Sequence, residues 1–213
     1  MRKYVTYLTV FGAITCALIL NACASTSLLE KAEARQGKVV LDDLKKGGWE
    51  MNDISRSMEL AVLKHQEKLK DPKNQPVSAT VTCKIMSNCD LVARTEASRK
   101  YAQQAASFLR ERIVGDNHLD QGDLGSEFAK LYSGYEILVQ KEINGEVIPS
   151  FDVVRRGQNG VNEYKAFFII NEERASAARI KALELAFKET EAAQKYANQI
   201  AEFVKEGFKF KEE

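Results

Sequence analysis

Residues 135–154 read YEILVQKEINGEVIPSFDVV, two runs rich in β-branched and aromatic residues around Asn144-Gly145. Asn-Gly tolerates positive φ at both central turn positions, so the stretch predicts strands over Tyr135–Ile143 and Glu146–Val154 joined by a type I′ hairpin. Pro149 has no N–H to give a ladder, so the second run should carry a bulge or break there. Downstream, RRGQNGVNEYKAFFIIN adds a glycine turn and another strand. Upstream, VSATVTCKIM (Val77–Met86) alternates Val77, Ala79, Val81, Cys83 and Ile85 with polar neighbours, the period of a half-buried strand. Together these runs predict a three- or four-stranded, mainly antiparallel sheet.

Helices surround it. From Asn88 or Asp90 as N-cap, the chain to Ile113 carries Ala93, Ala97, Tyr101, Ala102, Ala105, Phe108, Leu109 and Ile113 on one stripe, so an Ala-rich helix can lie closely on the sheet until Gly115. A short helix is expected over Gly125–Tyr132. Glu172 opens more than thirty residues free of proline, and of glycine until Gly207. Ala175, Ala178, Ala182, Leu185, Ala186, Ala193, Tyr196, Ile200 and Phe203 form the stripe of one long C-terminal helix. Its second half, from about Lys188, outruns a small sheet and must pack on the N-terminal segment, on another chain, or in solvent. On the N-terminal side, Val39–Lys46 is a short amphipathic segment ending at Gly47-Gly48. MELAVLKHQEKLK (Met58–Lys70) places Leu60, Leu63 and Leu69 at helical spacing before Asp71-Pro72 stops it. The class is α+β, with the Ala-rich helix and the first half of the C-terminal helix packed on one face of the sheet.

The N-terminus gives an address. Arg2 and Lys3 precede the apolar run Val5–Leu20, which is followed by small residues, the pattern of a cleavable export signal. Leu20-Asn21-Ala22-Cys23 resembles the bacterial lipobox, which implies acylation of the Cys23 thiol and cleavage before it. Several acyl chains hold a protein on a bilayer where one chain holds it marginally. Ala24 in place of an aspartate, and the lack of an acidic stretch after it, imply by analogy the periplasmic face of the outer membrane. The expected layout is a signal peptide over 1–22, a tether over 23–37, an N-terminal helical extension over 38–75, an α+β domain over 76–187 and a C-terminal helix extension over 188–213.

Charge and cysteine content narrow the classes further. The whole chain has 31 basic and 30 acidic residues, and loss of residues 1–22 removes only Arg2 and Lys3. Such a balance offers no basic excess to release counterions from phosphate, so nucleic acid is a poor partner. Of the four cysteines, Cys16 leaves with the signal and Cys23 is acylated, leaving Cys83 and Cys89 in CKIMSNC. In an oxidising envelope this pair reads as closing a small loop between a strand end and a helix start. Two free, half-buried thiols are the other reading. With no histidine nearby, the pair lacks the four ligands of a closed zinc site.

The sequence ARTEASRKYAQQ within an Ala-rich helix, then YEILVQKEI and YKAFFIINEERA leading into a final helix, resembles the small bacterial LPP-twenty-like lipoproteins. DDLKKGGWEM upstream resembles a segment preceding such domains in uncharacterised Bacteroidetes-type envelope lipoproteins. The likeness covers roughly Lys38–Phe187. It implies a non-enzymatic envelope protein that interacts with other envelope proteins, and it brings no catalytic residue.

Motifs for chemistry are sparse. His65 and His118 are the two histidines, and neither falls in HExxH spacing; no GxSxG elbow, phosphate loop or dinucleotide fingerprint occurs. Asp116, Asp120 and Glu127 fall at positions 1, 5 and 12 of a calcium loop, but His118 stands at position 3 and Gln121 at position 6, where the sharp turn needs glycine. A solvated acidic loop is the reading, without metal or other cofactor. Trp49 beside the glycine pair offers an indole face for a sugar such as peptidoglycan glycan, or else a core plug. The sequence thus predicts a non-enzymatic, lipid-anchored outer-membrane protein. Its partners would be envelope proteins, or its own copies through the C-terminal helix; a periplasmic binding module for glycan or another small ligand is the alternative.

Overall fold

The computed structural model describes residues 35–115, 125–157, 161–188 and 197–207. It forms two compact units, Met1–Gly47 and Gly48–Glu213, so the division falls inside the stretch 38–75 expected to form one extension. Of the first unit, residues 35–46 are helical (α1). The Gly47 N–H closes that helix on the Asp43 carbonyl at 2.9 Å, and Gly48 follows with φ 68°, a left-handed value open to glycine at no steric cost.

The second unit runs β1 (Glu50–Met51), α2 (Met58–Leu69), β2 (Asn74–Cys83), a 3₁₀ turn (Met86–Asn88), α3 (Cys89–Gly115), α4 (Gly125–Ile143), a second 3₁₀ turn (Asn144–Glu146), β3 (Val147–Arg156), β4 (Asn162–Asn171), α5 (Glu172–Phe187) and α6 (Ala197–Glu206). The four strands lie in the order β1-β3-β4-β2, and every pairing is antiparallel. Mixed helix and antiparallel sheet is the α+β class, as the alternating runs imply.

The predicted hairpin is the main correction. Tyr135–Ile143 is not a strand but the second half of α4, and Asn144-Gly145 is a 3₁₀ turn rather than a type I′ turn. Positions spaced by four satisfy both a period of two and a period near 3.6, and Tyr135, Val139 and Ile143 are spaced so. The upstream residues decide between the two periods. Phe128 and Leu131 continue the buried stripe at helical spacing, while Ile137, which a strand would turn inward beside Tyr135, is 64% exposed. The fourth strand is instead β1, which pairs Glu50 with Val154 and Met51 with Val153. This assignment predicts that Ile137→Glu changes stability by less than about 0.5 kcal/mol, whereas Val139→Ala costs ~1 kcal/mol or more. Urea denaturation of both variants checks it, and a large loss at position 137 would contradict the helix.

Pro149 acts as the sequence demands, because the β3–β4 register slips between Pro149 and Phe151. Of the two inner strands, β4 has Ala166–Ile170 all buried, so both faces of the sheet are covered rather than one. Tyr164, Ala166, Phe168 and Ile170 join Val77, Ala79 and Val147 in the main core with α3. From α3 that core takes Ala93, Ala97, Tyr101, Ala102, Ala105, Ala106, Leu109 and Ile113; α4 packs beside this helix and α5 beside α4. The opposite face presents Phe151 and Phe167, over which α2 lies. This helix is rotated from its expected orientation: Ala61, Val62 and His65 are buried, while Leu60 and Leu63 are 42% and 57% exposed. Its start is fixed by Ser57, whose hydroxyl accepts the Leu60 N–H at 3.2 Å.

A single straight C-terminal helix does not form. A helix from Glu172 to Gly207 would separate its ends by about 50 Å. Instead a Cβ added to Gly207 would lie 2.7 Å from the Glu172 carboxylate, so α6 returns antiparallel along α5. Residues 189–196, between α5 and α6, lie outside the described residues. Ile200 and Val204 of α6 are buried in the chain's own core.

Candidate functional site

Cys23, the expected lipidation site, lies outside the described residues, as do His118 and the rest of 116–124 in the acidic loop Asp116–Glu127. Glu127 falls within α4, but its side chain is among those not described. Among the described residues no cluster of three or more His, Cys, Asp or Glu is placed to hold a metal ion.

His65 is placed by α2 and by the β3 bulge together. The bulge leaves Ser150 without a register partner, and its Oγ lies 3.0 Å from His65 Nδ1. The imidazole meets Phe151 and Phe167 edge-on at centroid distances of 5.5 and 5.9 Å, and these two rings stack on each other at 4.2 Å. His65 is 4% exposed. Burial, with Lys68 nearby, pulls its pKa from 6.5 down to about 4. A histidine and a serine thus do meet, though far apart in sequence. An imidazole held neutral among phenyl rings is, however, a weak base for activating a hydroxyl, and its environment acts on packing: the His65–Ser150 bond locks α2 to the bulge. No sequence signal indicated this pairing, because a bulge chooses which residue turns inward.

Trp49 is half-buried and lies under the Arg155 guanidinium, 4.5 Å from the ring centroid. Arg155 Nε in turn donates to Glu163 Oε2 at 2.5 Å. One face of the indole is therefore occupied by an internal cation held by a cross-strand carboxylate, which leaves only the other face for a sugar ring.

Cys83 ends β2 and Cys89 opens α3, and the structure joins them in a disulfide with Cα atoms 5.8 Å apart, inside the range a bridge requires. Both cysteines are buried. The bridge closes residues 84–88 into a short loop, so the entropy it removes from the unfolded chain is modest, about 2 kcal/mol. Reduction, or replacing both cysteines by alanine, should lower the unfolding free energy by that amount, read as a lower urea midpoint; identical midpoints with and without reductant would remove any stabilising role.

Among the described residues the most buried charge is Arg179 of α5, 1% exposed. Its guanidinium donates to the Tyr101 hydroxyl on α3 and to Glu172 Oε1, and the Gln75 side-chain amide donates to Glu172 Oε2 at 2.7 Å. Burial pushes the phenols of Tyr101 and Tyr135 well above their usual range, which keeps both as neutral hydroxyls beside the cation. This network ties β2, α3 and α5 together around one charge. Its members are scattered over more than a hundred positions, and Arg179 reads in sequence as one more charge on an exposed helix face.

No helix among the described residues is long and apolar enough to cross a membrane. Comparison of the chain with protein-family models, with curated proteins and with solved structures finds no match.

Proposed function

We propose that the chain is a lipid-anchored bacterial envelope protein in which a folded α+β unit serves as a non-enzymatic interaction module. The observation that carries this reading is Leu20-Asn21-Ala22-Cys23 directly after the apolar run Val5–Leu20. The Cys83–Cys89 disulfide supports it, since such bonds persist in oxidising compartments. The burial of His65 supports it as well, because the ring is enclosed and tuned away from proton transfer.

The LPP-twenty-like likeness belongs to the same proposal in reduced form. Its meander contracts to the β3–β4 hairpin, because Tyr135–Ile143 is helical. What remains of the likeness is a strand, an Ala-rich helix, a hairpin and a following helix.

The mechanism is positional. Acyl chains on Cys23 raise the local concentration of the folded unit at the bilayer, so contacts too weak to act in solution become populated there. Metabolic labelling with an alkyne palmitate analogue tests it: wild-type protein takes up label and fractionates with membranes, and Cys23→Ser loses both. An unlabelled wild-type protein whose fractionation is unchanged by Cys23→Ser would sink the proposal.

A further inference from the structure

The disulfide loop and the first turn of α3 carry an unusual density of exposed apolar side chains. Within eight positions, Ile85 is 61%, Leu91 65% and Val92 46% exposed. Their place in the fold is set by register. Cys83 pairs with Asn162, and Asn162 with Arg156, so the 84–88 loop, the start of α3, the end of β3 and the start of β4 lie at one end of the sheet. Lys84 and Arg156 are exposed at the same end, and neither has an ion-pair partner among the described residues. The acidic side chain in the stretch, Asp90, is engaged by Arg94 at 3.6 Å. Elsewhere among the described residues the exposed aliphatics stand singly, as Ile137 on α4 does, or as the pair Leu60 and Leu63 on α2, with no third exposed large apolar side chain beside them in sequence.

Building on the proposed lipid anchor, we propose that this end of the sheet is a membrane-contacting tip, in which Ile85, Leu91 and Val92 enter the acyl boundary and Lys84 and Arg156 meet anionic headgroups. Three aliphatic side chains fall far short of the roughly 800 Å² per partner that a stable protein interface buries. A bilayer accepts small apolar tips flanked by basic residues, and it gains from each residue inserted and each cation brought to an anionic surface. The disulfide holds Ile85 next to α3, so little loop ordering opposes insertion. For a chain already tethered through its N-terminus, weak insertion suffices to orient the folded unit, because the anchor keeps the tip within reach of the surface.

Brominated acyl chains quench tryptophan only inside the hydrocarbon region, and Trp49 is the chain's one tryptophan. In a Trp49→Phe background, Ile85→Trp, Leu91→Trp, Leu63→Trp and Ile137→Trp would be purified from membranes as the processed protein. Each would be placed in vesicles of phosphatidylethanolamine and phosphatidylglycerol with brominated chains. Quenching at positions 85 and 91 should exceed that at 63 and 137 by at least about threefold, and Lys84→Glu with Arg156→Glu should reduce it. The mass of the purified protein reports acylation independently. An acylated protein with equal quenching at all four positions overturns the tip and leaves the anchor standing, whereas an unacylated mass overturns the anchor and the inference with it. A position-85 signal that rises with protein concentration in detergent, without vesicles, also overturns the tip, because it assigns the patch to self-association.

Discussion

Replacing Arg179 with alanine should cost about 3–5 kcal/mol, the range for removing one partner from a buried ion pair. The guanidinium holds the Tyr101 hydroxyl and Glu172 at once, and Gln75 is bound to the other oxygen of that carboxylate. With Arg179 gone, the hydroxyl of the fully buried Tyr101 loses its donor, and a cavity opens among α3, α4 and α5. Glu172, whose side chain is 26% exposed, recovers part of its hydration. The cost is therefore carried mainly by the deep side of the network. For a unit of this size the loss corresponds to roughly 10 °C in Tm. Arg179→Met should lose less, because it keeps most of the volume, and adding Glu172→Gln should recover part of the remainder. Thermal melts showing Arg179→Ala within about 1 kcal/mol of wild type would mean the charge is hydrated after all. Gly207 belongs to the same assembly. It ends α6 with φ 75°, and any side chain there would press on the Glu172 carboxylate and the Arg179 guanidinium.

Acid should destabilise the fold through His65 over a defined window. The folded-state pKa is about 4 against an ordinary value of 6.5, so above pH 6.5 the ring is neutral in both states and contributes no pH dependence. As pH falls from 6.5 toward 4, the unfolded chain binds a proton that the folded chain refuses, and stability falls throughout that interval. At 1.36 kcal/mol per pKa unit, the full loss by pH 4 is about 3 kcal/mol. Carboxylates stabilised in the fold respond differently. Asp53, lowered by hydrogen bonds from Ser55, and Glu96, lowered by its bond from Arg99, lose their contributions at lower pH. A His65→Phe variant separates these terms. It loses the Ser150 bond and some stability at all pH values, but its slope between pH 6.5 and 4 should flatten relative to wild type. Parallel urea titrations at pH 7, 6, 5 and 4 read the two slopes directly, and equal slopes would show that His65 is protonated in the native state without penalty.

These two side chains show where sequence reading stops. Both sit on helices whose existence was evident, α2 from its charged, Leu-spaced pattern before Asp71-Pro72 and α5 from its alanine stripe after Asn171. Their burial was not evident, because helix rotation is set by what the sheet offers beneath. Phe151 and Phe167 present ring faces that accept an imidazole edge, and Ser150 supplies the hydrogen bond, so α2 turns His65 inward and leaves Leu60 and Leu63 outward. Likewise the stripe on α5 foretold buried Ala175, Ala178 and Ala182, while Arg179 is buried beside them only because Tyr101 and Glu172 converge on it.

The sequence by itself determined the α+β class, the in-and-out alternation of β2 from Val77 to Cys83, though not its expected continuation to Ile85, and the bulge at Pro149, because these follow from local sterics and from hydrogen bonds a residue can or cannot make. The proposed export and lipid signal likewise rests wholly on residues 1–23. Only the tertiary structure decided that Tyr135–Ile143 is helical, that α6 folds back on α5, and that both faces of the sheet are covered. The reason is common to all three. Apolar spacing of four fits helix and strand alike, a run without glycine or proline permits a helix but does not require one, and which surface buries a stripe depends on partners distant in the chain.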